Sequence, residues 1–291
     1  MIWLILSIVT SSLLYVIFKY FSIFRVNTLH AIIVNYLIAS ITGFIAYQGT
    51  VQTSEIVSSP WIWYSIILGA LFICVFNVVA LTSQINGVSV AAVASKMSLV
   101  IPVTFGIWLY EESLDWLKII GIILALISVY LVTIKSKQEL PLVKSYFILP
   151  VLLFIGSGTI DTVIKYAEKL HVPSGDEALF SAICFSMAFG IGLLVLIYEA
   201  IQGRFLQWKS VIAGVVLGIP NYFSIYFIIK SLKTDMESSV VFPINHVGTV
   251  LFAALLGVLI FKERLLPQNY WGILLAVMAI VCIAFAKASF P

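Results

Sequence analysis

Long apolar runs separated by short polar interruptions make up almost the whole chain. A helix needs about 20 apolar residues to cross the hydrocarbon core of a bilayer, and most of these runs approach or reach that length. The interruptions contain helix-ending residues, such as Asn86-Gly87 and Pro267. The pattern predicts ten transmembrane helices, at residues 2–20, 28–48, 60–83, 88–110, 116–134, 145–166, 177–200, 211–231, 238–261 and 268–287. We therefore predict an all-α polytopic membrane protein.

The composition supports this fold class and excludes several kinds of protein. Of the 291 residues, 62% are hydrophobic and 10% are charged, whereas a soluble domain has about 25% charged residues. No connection is long enough for a soluble catalytic domain, and the chain has neither an HExxH nor a GxSxG motif. The net charge of +3 is small and scattered, so nucleic acid is not an expected partner. We predict a protein that is not an enzyme and that uses no cofactor and no metal ion.

The second half of the chain resembles the first. Residues 90–134 align without a gap with residues 241–285, at an offset of 151. Polar matches accompany the apolar ones: Glu112 with Glu263 and, at an offset of 146, Lys19-Tyr20 with Lys165-Tyr166. We predict two repeats of five helices, at residues 1–134 and 145–291, joined by a linker at 135–144. Because five is odd, the second repeat is inverted in the membrane, an architecture in which transporters place their substrate site near the midplane.

A family resemblance follows from the residues of the segment 89–132: a small-residue helix, Pro102, Glu112 ten positions later and the helix around Gly121. This segment resembles an EamA domain. Residues 240–285 are similar, with Glu263 in the matching place and Ala253 where the family usually has proline. The resemblance implies the ten-helix type of the drug/metabolite transporter superfamily, whose members mostly move small organic solutes. Small multidrug members of the superfamily carry an essential glutamate in their first helix. The first predicted helix of this chain has no glutamate, so we do not expect their mechanism.

The resemblance also implies a location and an orientation. It places the chain in the bacterial inner membrane with both termini in the cytoplasm. Lysine and arginine concentrate in cytoplasmic loops, and here more of them flank the odd-numbered connections than the even-numbered ones. The loop charges thus weakly favour the opposite orientation, and we adopt the one that the resemblance implies.

Two ionisable side chains are predicted deep in the membrane. Lys96 lies well inside the fourth predicted helix, and His246 has nearly the corresponding place in the ninth, beside Asn245. A charge at the bilayer centre costs at least about 2.5–3.5 kcal/mol, so such residues usually face a cavity or a partner. We predict that these three residues line a substrate cavity, where Lys96 favours a carboxylate or phosphate group. The alternative is a structural role, with each side chain bonded to a neighbouring helix.

Protons are a candidate coupling ion, because two residues of the predicted helices suit them. Histidine changes its charge near neutral pH, so His246 is one candidate. Asp161 is the other, and it shares a face of the sixth predicted helix with Ser157 and Lys165, each four residues away. The order of Asp161 and Lys165 favours an ion pair within the helix, so mutual neutralisation is the simpler expectation and a proton-relay role is the alternative.

Asparagine and aromatic residues complete the predicted lining of the cavity. They lie in the second, third and eighth predicted helices: Asn35, Tyr36, Asn77, Asn221 and Tyr222. The last two follow Pro220, and proline kinks a helix and frees a backbone carbonyl one turn earlier. Asparagines also fasten transmembrane helices together, at about 0.6 kcal/mol per interaction, so a packing role is the alternative for each.

Other residues of these types are predicted to be structural. Carboxylates suit helix N-termini, where the helix dipole is positive, so Glu112 and Glu263 are predicted to cap helix ends. The three cysteines, Cys74, Cys184 and Cys282, lie inside apolar runs without ligand spacing. They are predicted to be buried thiols.

Together these features predict a secondary transporter that works by alternating access. We expect export of a small organic metabolite, such as an amino acid or another solute that bears a carboxylate or phosphate. Uptake or exchange of a sugar or phosphorylated metabolite is the alternative, and a non-transporting membrane scaffold is the rival from another class. The variant Lys96→Leu distinguishes a transporter from a scaffold. A scaffold tolerates this replacement, whereas a transporter that uses the charge does not.

Overall fold

The protein is helical, without strands, throughout the residues that the computed structural model describes. These residues are 1–49, 53–85, 94–112, 115–133, 148–234, 236–262 and 266–286. They contain ten apolar helices: α1 (Ile2–Ile23), α2 (Thr28–Ala46), α3 (Ile62–Ile85), α4 (Val100–Tyr110), α5 (Trp116–Thr133), α6 (Ile148–Leu170), α7 (Glu177–Ile201), α8 (Trp208–Leu232), α9 (Ser238–Phe261) and α10 (Pro267–Ala286). A short helix, Thr53–Ser58, lies between α2 and α3.

Seven helices in the described part of the chain are long and apolar enough to cross a membrane, namely α1 to α3 and α6 to α9. The other three helices, α4, α5 and α10, are apolar, but their apolar stretches are shorter than in the other seven. The prediction of an all-helical polytopic fold is confirmed. The count of ten spans stays a prediction, although the predicted bounds of the ninth helix, 238–261, agree with those of α9.

The chain divides into two compact units. Unit 1 consists of Met1–Asn77 and Val163–Thr234, and unit 2 consists of Val78–Thr162 and Asp235–Pro291. Each unit therefore draws on both predicted repeats. The repeat boundaries concern internal similarity of the sequence, whereas the units are defined by packing.

In unit 1, α2 packs against both α7 and α8. Small residues allow this close approach, since a Cβ atom added to Gly43 would lie 2.6 Å from Ala182 Cβ and 2.7 Å from Tyr222 Cε2. Gly218 of α8 has the same role, because an added Cβ would lie 2.6 Å from Ile38 Cβ. Transmembrane helices gain van der Waals contact in this way, without a hydrophobic driving force between them.

In unit 2, α5 packs along α10, and α9 contacts α4, α5 and α10. Gly121 permits the first contact, because a Cβ atom added there would lie 2.5 Å from Ile283 Cγ1. Small and β-branched residues form the adjoining core: Ala125, Val129, Val247, Val250, Ala276 and Ala279. This core fixes α9, the helix that carries Asn245 and His246.

Two helices of unit 2 end in the same backbone conformation. Glu111 follows α4 and Lys262 follows α9, and both residues are left-handed, with φ of 53° and 54°. A left-handed residue commonly ends a helix, although glycine usually occupies the position. The two residues are 151 positions apart, the offset at which the two halves of the sequence align.

The outward faces of the helices are apolar. Large hydrophobic side chains such as Trp108 and Leu194 are 77% and 67% exposed, as lipid contact requires. The prediction of buried thiols holds for Cys184 and is wrong for Cys74, which is exposed. An apolar run in a membrane helix has a lipid-facing side as well as a buried one, so the run alone does not determine burial.

Candidate functional site

A break in the helix around Lys96 begins the candidate site in unit 2. Residues 94–97 are helical, Ser98 and Leu99 form a turn, and α4 starts at Val100. Pro102 accounts for the break, because proline has no N–H for the carbonyl of Ser98 and its ring clashes with that carbonyl. The Ser98 carbonyl instead accepts from Ile101 N at 2.9 Å, and the Lys96 carbonyl accepts a long bond from Leu99 N at 3.4 Å.

His246 joins this break to α6. Its Nδ1 atom lies 3.2 Å from the Lys96 carbonyl oxygen, and its Nε2 atom lies 3.2 Å from Asp161 Oδ2. The imidazole is buried, with 8% of the side chain exposed, and the Asp161 side chain is 20% exposed. One side chain of α9 thus contacts both the backbone near α4 and a carboxylate of α6.

A second contact ties the same segments together. Ser95 Oγ lies 3.2 Å from Ser157 Oγ, and Ser157 is one helical turn before Asp161 in α6. The face of α6 that carries Ser157 and Asp161 therefore contacts the Lys96 segment through Ser157 and, one turn later, His246 through Asp161. Asn245, beside His246, is buried as well. Of the predicted site, the structure thus brings together His246, Asp161 and the backbone of Lys96.

The predicted ion pair between Asp161 and Lys165 is wrong. Lys165 Nζ instead lies 3.0 Å from Glu168 Oε2, and Asp161 pairs with His246. Glu168 is 4% exposed, so this buried carboxylate needs a cation at hand, and Lys165 lies one turn away in the same helix. Lys233 of α8 adds a second cation at 3.8 Å from Glu168 Oε1.

The remaining predicted residues lie in unit 1. Asn221 Nδ2 donates to Asn35 Oδ1 at 3.1 Å, so these two residues fasten α8 to α2. Tyr36 and Tyr222 are fully buried, and within the described residues neither hydroxyl has a hydrogen-bond partner. Asn77 Nδ2 donates to the Ile73 carbonyl of its own helix at 2.7 Å. The Asn221–Asn35 bond is the kind of contact that the packing alternative predicts, whereas the Asn77 bond stays within one helix.

Comparison with known proteins shows that the first part of the chain is similar to a transporter family. A model of the EamA-like transporter family matches residues 1–134. Over 222 residues the chain is 29% identical to a Haemophilus influenzae protein described only as uncharacterised, and the match covers 75% of this chain and 74% of that protein. The first 134 residues are therefore similar to the EamA-like transporter family. A crystal structure of another protein, 15% identical, matches with a TM-score of 0.79 over 99% of this chain and 97% of that one, which shows a shared fold.

This match and the apolar helices support an integral membrane protein that is similar to the drug/metabolite transporter superfamily. The resemblance found in the sequence is therefore confirmed. Its membrane-spanning helices lie in lipid, where every buried charge carries a large desolvation cost. The His246–Asp161 pair and Lys96 consequently stand out among the polar groups of the protein, because His246 and Asp161 lie well within helices long enough to span the membrane.

Glu112 caps a helix, but not one of the two helices that are its neighbours in the sequence. Its Oε1 accepts from the N–H of Ser238 at 2.9 Å and its Oε2 accepts from the N–H of Ser239 at 2.8 Å. These groups are the first free donors of α9, where a carboxylate also meets the positive end of the helix dipole. Gly106 leaves the room, since an added Cβ would lie 2.8 Å from Glu112 Oε2. Glu263 lies outside the described residues.

A buried lysine lies at the same end of α9. Lys118 of α5 is 1% exposed, and its ammonium pairs with Glu237 and donates to Ser239 Oγ at 3.0 Å. Together with Glu112, these groups hold the start of the helix that carries His246. Sequence reasoning missed this role of Lys118 because the residue lies near a helix end, where exposed lysines are common.

The sequence analysis also missed a histidine–carboxylate pair in unit 1. His30 Nε2 lies 2.7 Å from Glu199 Oε2, and Arg204 Nη1 lies 3.2 Å from the other oxygen of that carboxylate. His30 is 1% exposed and stands one turn after Asn27, which caps α2 by accepting from the His30 N–H. Asn27 is a sequence signal for the start of α2, but nothing in the sequence indicates that Glu199 of α7 is the partner of His30.

Proposed function

We propose that this protein moves a small organic metabolite that bears a carboxylate or phosphate across the bacterial inner membrane by alternating access. Export of an amino acid or a related metabolite is the form of the proposal that we favour. Both termini lie in the cytoplasm in this proposal. The similarity of residues 1–134 to a transporter family supports transport in general, and the residues of unit 2 support the class of solute.

The observation that carries the proposal is the meeting of Lys96, His246 and Asp161 at the break before α4. Transporters place substrate at interrupted helices, because unwound backbone and intramembrane charges there replace the water that a polar solute loses. An ammonium at this place favours an anionic group on the solute. Asn245 is buried beside the pair and is proposed to add a hydrogen bond. We also retain Asn35, Tyr36, Asn77, Asn221 and Tyr222 as candidate contacts in unit 1.

Ligand-induced stabilisation of the purified chain tests the class of solute. The panel contains amino acids, dicarboxylates and phosphorylated metabolites, with neutral sugars and simple amines for comparison. A ligand at one hundred times its dissociation constant adds about 2.7 kcal/mol to the stability of the folded state. We expect anionic or zwitterionic members to raise the melting temperature of the wild type and to lose this effect in Lys96→Gln.

Lys262→Gln is the matched control, because Lys262 is exposed at the end of α9 and its replacement removes the same charge. It should respond to the panel as the wild type does. Equal protection of all three proteins by the anions would remove Lys96 from the site. Protection by neutral sugars or amines alone would contradict the proposed class of solute.

A further inference from the structure

The contacts of His246 require more hydrogens than a neutral imidazole has. A backbone carbonyl oxygen only accepts hydrogen bonds, so Nδ1 must carry the hydrogen that it shares with Lys96 O at 3.2 Å. A neutral imidazole has one N–H, which leaves Nε2 as an acceptor. An ionised carboxylate is also only an acceptor, and Asp161 Oδ2 lies 3.2 Å from this nitrogen. Neutral His246 and ionised Asp161 would therefore place two lone pairs against each other.

One additional proton between His246 Nε2 and Asp161 Oδ2 removes this repulsion between lone pairs, and it can be bound to either atom. On Nε2 it makes an imidazolium beside an ionised carboxylate, and on Asp161 it makes a neutral acid that donates to Nε2. Both arrangements have the same number of protons and no net charge. A neutral pair is also the arrangement that membrane-spanning helices accommodate at the lowest cost. The hydrogen-bonding groups between α6 and α9 are thus matched when one proton is bound.

The charged groups around His246 leave Asp161 as its ionisable contact. From α6 it meets Asp161, and from the segment before α4 it meets the backbone of Lys96. The neighbouring residues of α9, Val247 and Val250, pack on alanine and valine side chains of α5 and α10. Lys118 of α5 and Glu237, the residue before α9, pair with each other at the start of α9, about two turns from His246.

We propose that His246 and Asp161 form the binding site for one transported proton and that an ammonium group of the solute takes the place of that proton. This inference rests on the proposed function and adds its coupling ion. When the proton leaves to water, Asp161 is left as a carboxylate that an ammonium neutralises by donating N–H to Oδ2. Lys96 meets the carboxylate of the same solute. Proton and amino acid then bind alternately, and the protein exchanges one for the other.

The bound proton is measurable without any solute. The chain contains three histidines, so ring-¹⁵N labelling of the full-length protein in lipid nanodiscs gives few signals, and His246→Gln identifies those of His246. We expect a protonated Nδ1 together with either a protonated Nε2 or an infrared band of a protonated carboxyl that Asp161→Asn removes. A neutral His246 beside an ionised Asp161, or a deprotonated Nδ1, would overturn the proton site.

Transport in liposomes tests the exchange. The full-length protein is reconstituted with the voltage clamped by potassium and valinomycin, and radiolabelled alanine, leucine and phenylalanine serve as probes. One proton per amino acid lets a gradient of one pH unit sustain up to about a tenfold accumulation. Asp161→Asn should equilibrate the amino acid without accumulating it. Asp176→Asn should accumulate it as the wild type does, because Asp176 lies at the start of α7 and contacts Tyr47.

The outcomes separate this inference from the function on which it rests. If the wild type equilibrates an amino acid but a pH gradient does not change its distribution, the exchange is overturned and transport stands. If the wild type moves none of the probes while the histidine spectrum shows the proton, the solute class fails and the proton site stands. Accumulation that persists in Asp161→Asn would also overturn the exchange.

Discussion

Replacing Glu112 with glutamine should lower the free energy of unfolding by about 2–4 kcal/mol, because two charge-assisted hydrogen bonds to the start of α9 are lost or weakened. The carboxylate accepts from the backbone of Ser238 and of Ser239, whose side chains are fully buried. A glutamine offers a single oxygen and turns its amide N–H groups toward the second donor. Equilibrium unfolding in detergent micelles, with circular dichroism as the probe, measures the change.

Glu111→Gln is the control for this prediction. It removes the same charge from the adjacent residue, which is exposed, and should stay within about 0.5 kcal/mol of the wild type. Equal destabilisation by the two variants would indicate a general effect of charge at this end of the unit. A stable Glu112→Gln protein would show that the cap contributes little to α9.

Removing Glu237 should be about as damaging, because it leaves Lys118 buried without its carboxylate. Lys118 is 1% exposed and Glu237 is 25% exposed, so the lysine is the partner that cannot regain water. Breaking a buried pair by removing one member typically costs about 3–5 kcal/mol, and the exposed part of Glu237 places the expected loss for Glu237→Ala at the lower end. The same unfolding experiment gives the value.

The double variant decides whether the loss is due to the stranded charge. Lys118→Met in the Glu237→Ala background replaces the ammonium by an apolar chain of similar length and should recover most of the stability. A hydrophobic replacement of a buried pair is often neutral or stabilising, which is the basis of this expectation. A double variant as unstable as Glu237→Ala alone would assign the loss to the start of α9 instead.

The sequence predicted the features that depend on local pattern. Apolar length determined the helices, and the predicted range 238–261 is that of α9. The cost of a charge in lipid pointed to Lys96, His246 and Asp161, and the structure brings these residues together in unit 2. Each of these inferences uses neighbours within one helix or the general properties of the membrane.

Contacts between helices were the part that the sequence did not predict. Glu112 was correctly predicted to be structural, but it caps α9, which lies 126 residues further along the chain. Asp161 was expected to pair with Lys165 inside α6, yet α9 brings His246 to it and Glu168 takes the lysine. Spacing along a helix determines which residues share a face, and it does not determine which helix approaches that face.

The two units illustrate the same distinction. Internal similarity divides the sequence near residue 140, whereas packing joins Met1–Asn77 to Val163–Thr234 and Val78–Thr162 to Asp235–Pro291. The internal similarity of the sequence defines the two repeats. The two units instead depend on which helices pack their small residues against each other. Asn35 with Asn221, and Lys96 with His246, each combine residues from both halves of the sequence for this reason.

Uptake of radiolabelled solutes into liposomes that contain the wild-type chain is the most direct test of the central claim. The claim is that this protein, with a charged site around Lys96, carries a small metabolite that bears an acidic group. We predict saturable movement of at least one amino acid or other acidic metabolite, and at least a tenfold loss in Lys96→Gln, which corresponds to about 1.4 kcal/mol. Folded protein that moves no acidic solute, or a Lys96→Gln variant with the full rate, would contradict the account.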